Sequence, residues 1–460
     1  MSRPAAERER SRRRPPPGGR HTPTQDARGR AIDALIAIDG GARSQSALSA
    51  ALDAEPALSA LDRGLLTELV YGSLRRVRLL DAWAASASDK GLVDLDAATL
   101  AALRVGLHQL SGLDRVPAFA AIDGTVEAAK GRLPQGRVGY LHAVLRRLAR
   151  EAPWSAARPA DAALVPWQAT MIRQWAAACG VDGDELARAM AEAAPSHVHV
   201  IASARDEAAS SLAADGVSIA RVGEVPGAFE ICGGSFWTST LHGDRRAIAQ
   251  DGASAAIVEW LGARPGQRVL DLCAGRGAKS LFLAASGAEV DLVDIESDKL
   301  ADAVALADQA GLRLGKTLVG DAGQALPLDH GGYDAVLVDA PCSGLGTLRR
   351  RPEIATRRSM ADVIRLAGVQ RAILRRAADA VRPGGLLLFA VCTISAEESV
   401  DAVEDFLAAR DDFARDPAGP ASQPAWLRGW LDARGDLRSH PGLHGVDCFY
   451  AARLRRAAVT

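Results

Sequence analysis

Val269-Leu270-Asp271-Leu272-Cys273-Ala274-Gly275-Arg276-Gly277-Ala278-Lys279 is the stretch that decides the fold. A short apolar run enters a turn holding two glycines, and an apolar helical pattern starts near Ser280. Glycines there let the backbone approach a ligand closely and point the N–H groups of the following helix at it. The same rhythm continues downstream. Apolar runs at Arg268 to Cys273, Glu289 to Asp294, Lys316 to Val319, Ala335 to Asp339 and Leu386 to Val391 are separated by helical stretches. The alternation predicts a parallel, doubly wound α/β sheet covered on both faces, a Rossmann-like domain over 247–460.

The ends of these runs carry the chemistry. The second ends in Val293-Asp294-Ile295-Glu296, which puts a carboxylate where ribose hydroxyls bind in such folds. The third ends at Gly320-Asp321 and the fourth at Asp339. Three acidic strand ends beside one glycine turn repel a diphosphate and suit a neutral or cationic adenosine ligand. S-adenosylmethionine, a sulfonium without phosphate, meets that requirement. The fourth run continues as Asp339-Ala340-Pro341-Cys342-Ser343-Gly344 and the fifth as Val391-Cys392-Thr393, so two thiols are expected at the binding edge. A thiolate and a carboxyl group side by side fit methylation at C5 of a pyrimidine. Addition of the thiolate at C6 makes C5 enamine-like, and the carboxyl group at N3 accommodates the charge. Spacing alone leaves open which cysteine attacks.

Upstream, residues 27–150 read as a helical bundle, with Leu100, Leu103, Leu107 and Leu110, and again Leu141, Val144, Leu145 and Leu148, at steps of three and four. Pro153 and Pro159 interrupt, and helical patterning over 160–193 leads to Pro195. A small α+β linker module then ends near 246. Within it His197 to Ala202 and Phe229 to Trp237 read as extended, and 205–214 as a short helix. His197 and His199 share a strand face but lack a third ligand, so they are expected to be ordinary surface or core histidines. Trp237 and Phe449 are aromatic candidates for stacking a base.

The chain of 460 residues, 48% hydrophobic and 24% charged, has length for two or three cores. No apolar run reaches the roughly 18 residues of a membrane span. A soluble cytoplasmic protein with no membrane partner is therefore expected. The six cysteines form no C-x-x-C pair, which points to reduced thiols and no metal site. The net charge of −1 argues against a nucleic-acid partner only as an average. Residues 1–30 hold nine Arg against three acids, a surplus of +6, and 345–382 hold ten Arg against three, a surplus of +7. The first block, 1–26 above all, reads as a disordered basic tail, and the second is a candidate phosphate-contacting face.

The motifs together resemble the RNA cytosine-C5 methyltransferases, and within them the 16S ribosomal RNA methyltransferase B group. Asp339-Ala340-Pro341-Cys342-Ser343-Gly344 followed by Arg349-Arg350 and Pro352-Glu353 is similar to that family's motif IV, Cys392-Thr393 to motif VI, and Asp271-Leu272-Cys273-Ala274 with Lys279 to motif I. Asp62-Arg63-Gly64-Leu65, Leu69-Val70-Tyr71-Gly72, Leu74-Arg75-Arg76 and Ala143-Val144-Leu145-Arg146 resemble its NusB-like RNA-binding domain. The resemblance implies an all-α NusB-like bundle over 27–150, the linker module over 155–246, and a class I S-adenosylmethionine-dependent methyltransferase domain over 247–460. It implies Cys392 as nucleophile, Cys342 in adduct release and Asp339 between cofactor and cytosine. S-adenosylmethionine would be held by Cys273, Ala274, Gly275, Arg276, Gly277, Ala278 and Lys279 with Asp294, Asp321 and Asp339. The substrate would be 16S rRNA, met by Arg349, Arg350, Arg63 and Arg75, and the enzyme a monomer. The alternatives are the same chemistry on tRNA or another RNA, or a non-catalytic ribosome assembly factor. The chain departs from the family pattern at Arg276, where proline is usual, and at Val391, where Thr or Ser is usual.

Overall fold

A computed structural model describes residues 26–88, 91–156, 164–416 and 423–458. The expected tail lies outside these residues except for Asp26, whose carboxylate caps the first helix by accepting the Gly29 N–H at 2.7 Å. The chain divides into two compact units, one of residues up to 73 with 84–152, the other of 74–83 with 153 onward.

The helices of the N-terminal region are α1 (Ala27–Asp39), α2 (Ser44–Asp53), α3 (Ala60–Arg75), α4 (Val77–Ser86), α5 (Ala97–Gly112), α6 (Ala118–Ala129) and α7 (Gln135–Glu151). Of the leucines read from the sequence, Leu103 and Leu107 on α5 and Leu141, Leu145 and Leu148 on α7 are fully buried. Gly106 brings α5 and α7 together, since a Cβ there would lie 2.6 Å from Leu145. Arg132 ties the bundle to its first helix through both carboxylate oxygens of Asp33, each at 2.9 Å.

Two helices, α8 (Pro166–Cys179) and α9 (Gly183–Ala191), lead into the linker module. Its four strands, β1 (His197–Val200), β2 (Ser218–Arg221), β3 (Ala228–Gly233) and β4 (Ala247–Ala249), pair in the order β2-β3-β1-β4 with α10 (Ala208–Ala214) and α11 (Thr240–Gly243) between them. The last strand falls just past residue 246.

The large sheet follows, formed by β5 (Arg268–Leu272), β6 (Glu289–Asp294), β7 (Thr317–Val319), β8 (Tyr333–Asp339), β9 (Val381–Val391), β10 (Phe413–Arg415), β11 (Leu437–Arg438) and β12 (Tyr450–Arg456). Strands β5 to β9 are parallel, in the spatial order β9-β8-β5-β6-β7. The expectation of an all-parallel sheet is corrected at one edge, where β12 joins β9 antiparallel and β10 and β11 add to it. The connecting helices are α12 (Gly252–Leu261), α13 (Ala278–Ala285), α14 (Ser297–Gln309), α15 (Ile354–Arg357), α16 (Met360–Ala380) and α17 (Val400–Ala409).

Alternation along the strands feeds two cores. Val269, Leu337, Leu388 and Ala390 face one that contains residues of α12, α13 and the linker sheet. Leu270, Leu272, Val336, Val338, Leu387 and Phe389 face the other, shared with α8, α9, α16 and α17. Both faces of the strands are apolar because both are covered, and the linker segment supplies part of each cover.

Candidate active site

The turn after β5 has three successive left-handed positions at alternate residues, Cys273 (φ 63°), Gly275 (φ 57°) and Gly277 (φ 75°). Gly277 is required twice over, because a Cβ there would meet Ala303 on α14 at 2.5 Å. The turn wraps a cleft of about 200 Å³ lined by Asp271, Cys273, Ala274, Gly275, Arg276, Ala278, Lys279 and Asp339. Arg276 swings its guanidinium outward to Asp302 at 2.6 Å and is largely exposed. The departure from proline therefore leaves the cleft open.

Asp294 closes the far side. Its two oxygens accept the Gly275 N–H at 2.8 Å and the Glu296 N–H at 3.0 Å, and each oxygen keeps a second lone pair for a ligand hydroxyl. Ile295 and Val319, next to it at the ends of β6 and β7, are 65% and 55% exposed. Such apolar surface at a cleft rim offers a face for a flat ring, a signal present in the sequence but not used there. Asp321 is exposed and accepts the Gly323 N–H at 2.8 Å. Burial first, and then the negative charges of Asp339, Asp294, Asp271 and Asp321, push the Cys273 thiol far up.

Lys279 donates to Asp339 at 2.5 Å. Burial opposes its charge, but Asp339, with help from Asp271 and Cys392, keeps the ammonium protonated and raises its pKa. Asp271 is 1% exposed; one oxygen accepts from Ser280 Oγ at 2.5 Å and the other has no partner. Burial pushes its carboxyl up to about 7.

At the edge of β8 and β9 the two thiols meet: Cys342 Sγ and Cys392 Sγ are 3.3 Å apart. Contact with Cys392, then burial, raises the Cys342 pKa. Val391 is fully buried, in the core with α16 and α17.

Two of the residues expected to meet RNA have partners within the protein. Arg349 is 7% exposed, and its guanidinium donates to the carbonyls of Gly445 and Ala193 at 3.4 and 3.2 Å. Arg350 joins Asp447 at 2.9 Å and Asp251 at 2.7 Å. Arginine counting cannot see such partners. Elsewhere in the block, Arg365, Arg371 and Arg382 pair with Asp362, Asp405 and Asp334, while Arg375 and Arg376 are exposed on α16. Arg63 is exposed on α3 and Arg75 half-buried at its end. Trp237 is 66% exposed, with its ring edge-on to Phe236 and His242, whereas Phe449 is buried. His197 and His199 are core residues: His199 stacks on Phe282 and bonds Gln250 at 2.8 Å, and His197 lies 3.4 Å from Asp251. No group able to hold a metal occurs among the described residues, and no helix there is long and apolar enough to cross a membrane.

A largely parallel sheet with a glycine turn after its first strand and acidic strand ends beside one cleft defines a doubly wound α/β protein of the adenosine-binding class. Residues 258–455 match the family described as 16S rRNA methyltransferase RsmB/F, and residues 25–150 match the NusB family. Ribosomal RNA small subunit methyltransferase B of Thermus thermophilus is 35% identical over 441 residues, 93% of this chain and 96% of that protein. A probable counterpart in Bacillus subtilis is 28% identical over 93% of this chain and 98% of its own. The crystal structure of PH0851 superposes with a TM-score of 0.77 at 24% identity, over 95% of this chain and 99% of that one. The chain belongs to the RsmB/F family of S-adenosylmethionine-dependent rRNA methyltransferases and carries a NusB-family domain.

Two outcomes follow from the site's geometry. Replacing Arg350 by Ala strands the buried Asp251 and Asp447 without their cation and costs about 3 kcal/mol of stability; denaturant unfolding without RNA reads this loss, which a purely RNA-contacting arginine would not show. For Asp271 the folded pKa near 7 lies above the unfolded value, so the native state retains a proton that the unfolded chain releases. Stability from this group is full below about pH 4 and falls as pH rises to about 7. Asp271→Asn, which keeps an acceptor for Ser280, should melt with wild type at pH 4 and above it at pH 8; a pH-independent difference contradicts the assignment.

Proposed function

We propose that this protein methylates C5 of a cytosine in 16S rRNA through a covalent adduct between Cys392 and C6 of the base, with S-adenosylmethionine as methyl donor. The observation that carries the reading is the pair of thiols 3.3 Å apart beside the Lys279–Asp339 ion pair.

The cleft fits the donor. Its wall holds the carboxyl groups of Asp271 and Asp339 and a single inward ammonium already neutralised by Asp339, and Asp294 bonds the turn beside it, so a sulfonium with an α-amino group is favoured over a phosphate-bearing ligand. The unpartnered oxygen of Asp271 waits for a donor there. Cys273 to Lys279 would hold the cofactor with Asp294 and Asp321, and when bound it supplies a methyl group activated for transfer to carbon.

The side chains perform the remaining steps. The Cys392 thiolate adds to C6, and the displaced electron density makes C5 nucleophilic. As negative charge develops on the ring, N3 takes up a proton that Lys279 passes through Asp339, and the same proton returns to the pair when the adduct breaks down. After C5 has accepted the methyl group, loss of its proton to a base returns the electron pair that expels Cys392. Cys342 keeps its own proton and points it at the Cys392 sulfur, which stabilises that sulfur as it leaves. The base must be unstacked to enter, as in other enzymes that act on an atom inside a stack. The family and the NusB-family domain support an rRNA substrate.

Methylation of deproteinised 16S rRNA, mapped by bisulfite sequencing, tests the substrate: one protected cytosine is expected, and protection only in tRNA contradicts it. Cys392→Ala should abolish methylation. Cys342→Ala should accumulate protein–RNA adduct on denaturing gels. Full activity of Cys392→Ala overturns the mechanism.

A further inference from the structure

Behind the two thiols lies a carboxyl group that the mechanism does not use. Glu398 is 0% exposed. Its Oε1 accepts the Ser343 backbone N–H at 2.7 Å and Gln370 Nε2 at 3.1 Å. Its Oε2 lies 2.5 Å from Ser343 Oγ and 3.1 Å from Thr393 Oγ1, and those two hydroxyls are 2.9 Å from each other. Ser343 follows Cys342 and Thr393 follows Cys392. One side chain therefore grips the residue after each cysteine. A second tie runs along the backbone, where the Gly346 N–H donates to the Cys392 carbonyl at 3.1 Å. A Cβ on Gly346 would lie 2.0 Å from the Cys448 oxygen, so the loop approaches as closely as glycine allows.

A proton count fixes the state of this clamp. Oε2, Ser343 Oγ and Thr393 Oγ1 form a triangle with three hydrogen-bond edges. The two hydroxyls bring two protons, which leaves one edge empty if Glu398 is ionised. A proton on Oε2 fills all three edges, while Oε1 remains a pure acceptor for its two N–H donors. The charged groups around it do not argue otherwise: among the described residues no ion pair reaches Glu398, and the nearby Arg358 donates to the Ser343 carbonyl at 3.1 Å. An ionised carboxylate buried without a cation is costly. Burial also raises its carboxyl pKa despite the donors around it.

We propose that Glu398 is a positioning residue whose protonated carboxyl ties the Cys342 and Cys392 loops together and sets the approach of their sulfurs. The proposal rests on the reading that these two thiols react. Glu398→Gln keeps an uncharged clamp with all three edges filled: its carbonyl takes the place of Oε1, and its NH2 donates to both hydroxyls where the protonated Oε2 donates to one and accepts from the other. Glu398→Ala removes the clamp. In steady-state methylation of 16S transcript, Glu398→Gln should keep kcat within roughly threefold, and Glu398→Ala should lose on the order of 100-fold, the size of effect a small misplacement of reacting groups produces. KM for S-adenosylmethionine should stay unchanged in both. Thr393→Val, which cuts one arm, should fall between them if Glu398→Ala proves too unstable to assay. Infrared spectra need no activity: wild type should show a buried carboxylic-acid C=O band that Glu398→Gln lacks. Loss in Glu398→Gln equal to that in Glu398→Ala, or absence of the band, overturns the protonated clamp; full kcat in Glu398→Ala overturns positioning. If Cys392→Ala instead stays active, the reading of the thiols fails while the infrared result stands by itself.

Discussion

Two sulfur atoms 3.3 Å apart, carried on loops that leave neighbouring parallel strands, set the demands that the surrounding structure meets. Neither loop holds this position alone. Cys342 is three residues beyond β8 and Cys392 one residue beyond β9, so their separation depends on the register of those strands, in which Asp339 pairs with Ala390. Register in turn depends on both faces of the sheet being packed, because a slip of one residue exchanges the two cores. The helices and the linker sheet that cover the strands therefore act on the site through the strand ends.

The same edge separates charge by role. Carboxylates gather around the glycine turn, where a cationic ligand is favoured, and one ammonium, Lys279, stands between that cleft and the thiols. Its ion pair with Asp339 keeps a formally neutral unit at the point where the base and the donor are proposed to meet. Arg350 plays a different part. It bonds the start of α12 to the loop before β12 through Asp251 and Asp447, and so fixes the C-terminal edge of the sheet behind the motif that carries Cys342.

Much of this was legible in the sequence, for identifiable reasons. The five parallel strands announce themselves because each is an apolar run ending in a carboxylate or a cysteine. The helices α5 and α7 show because their leucines recur at helical spacing. The antiparallel β12 did not show: Tyr450–Arg456 mixes three arginines with small residues, and its partner is fixed by tertiary pairing with β9. The internal partners of the arginines after Cys342 do not show in a charge count, which treats a guanidinium as solvent-exposed, whereas Arg349 is bonded to carbonyls from residues 156 and 96 positions away. Glu398 was missed for a similar reason, since Ser343 lies 55 residues before it. Local pattern finds ligands on strand ends; it does not find the buried groups that hold those ends.

The central claim is that Cys392, and not its neighbour, bonds to the base. The most direct measurement uses 16S rRNA in which cytidine is replaced by 5-fluorocytidine, whose C5 fluorine cannot leave as a proton does, so the adduct persists after methyl transfer. Digestion and mass spectrometry then locate the nucleotide on the protein. The account predicts it on the peptide that contains Cys392. A nucleotide on the Cys342 peptide, or methyl transfer with no adduct at all, would contradict it.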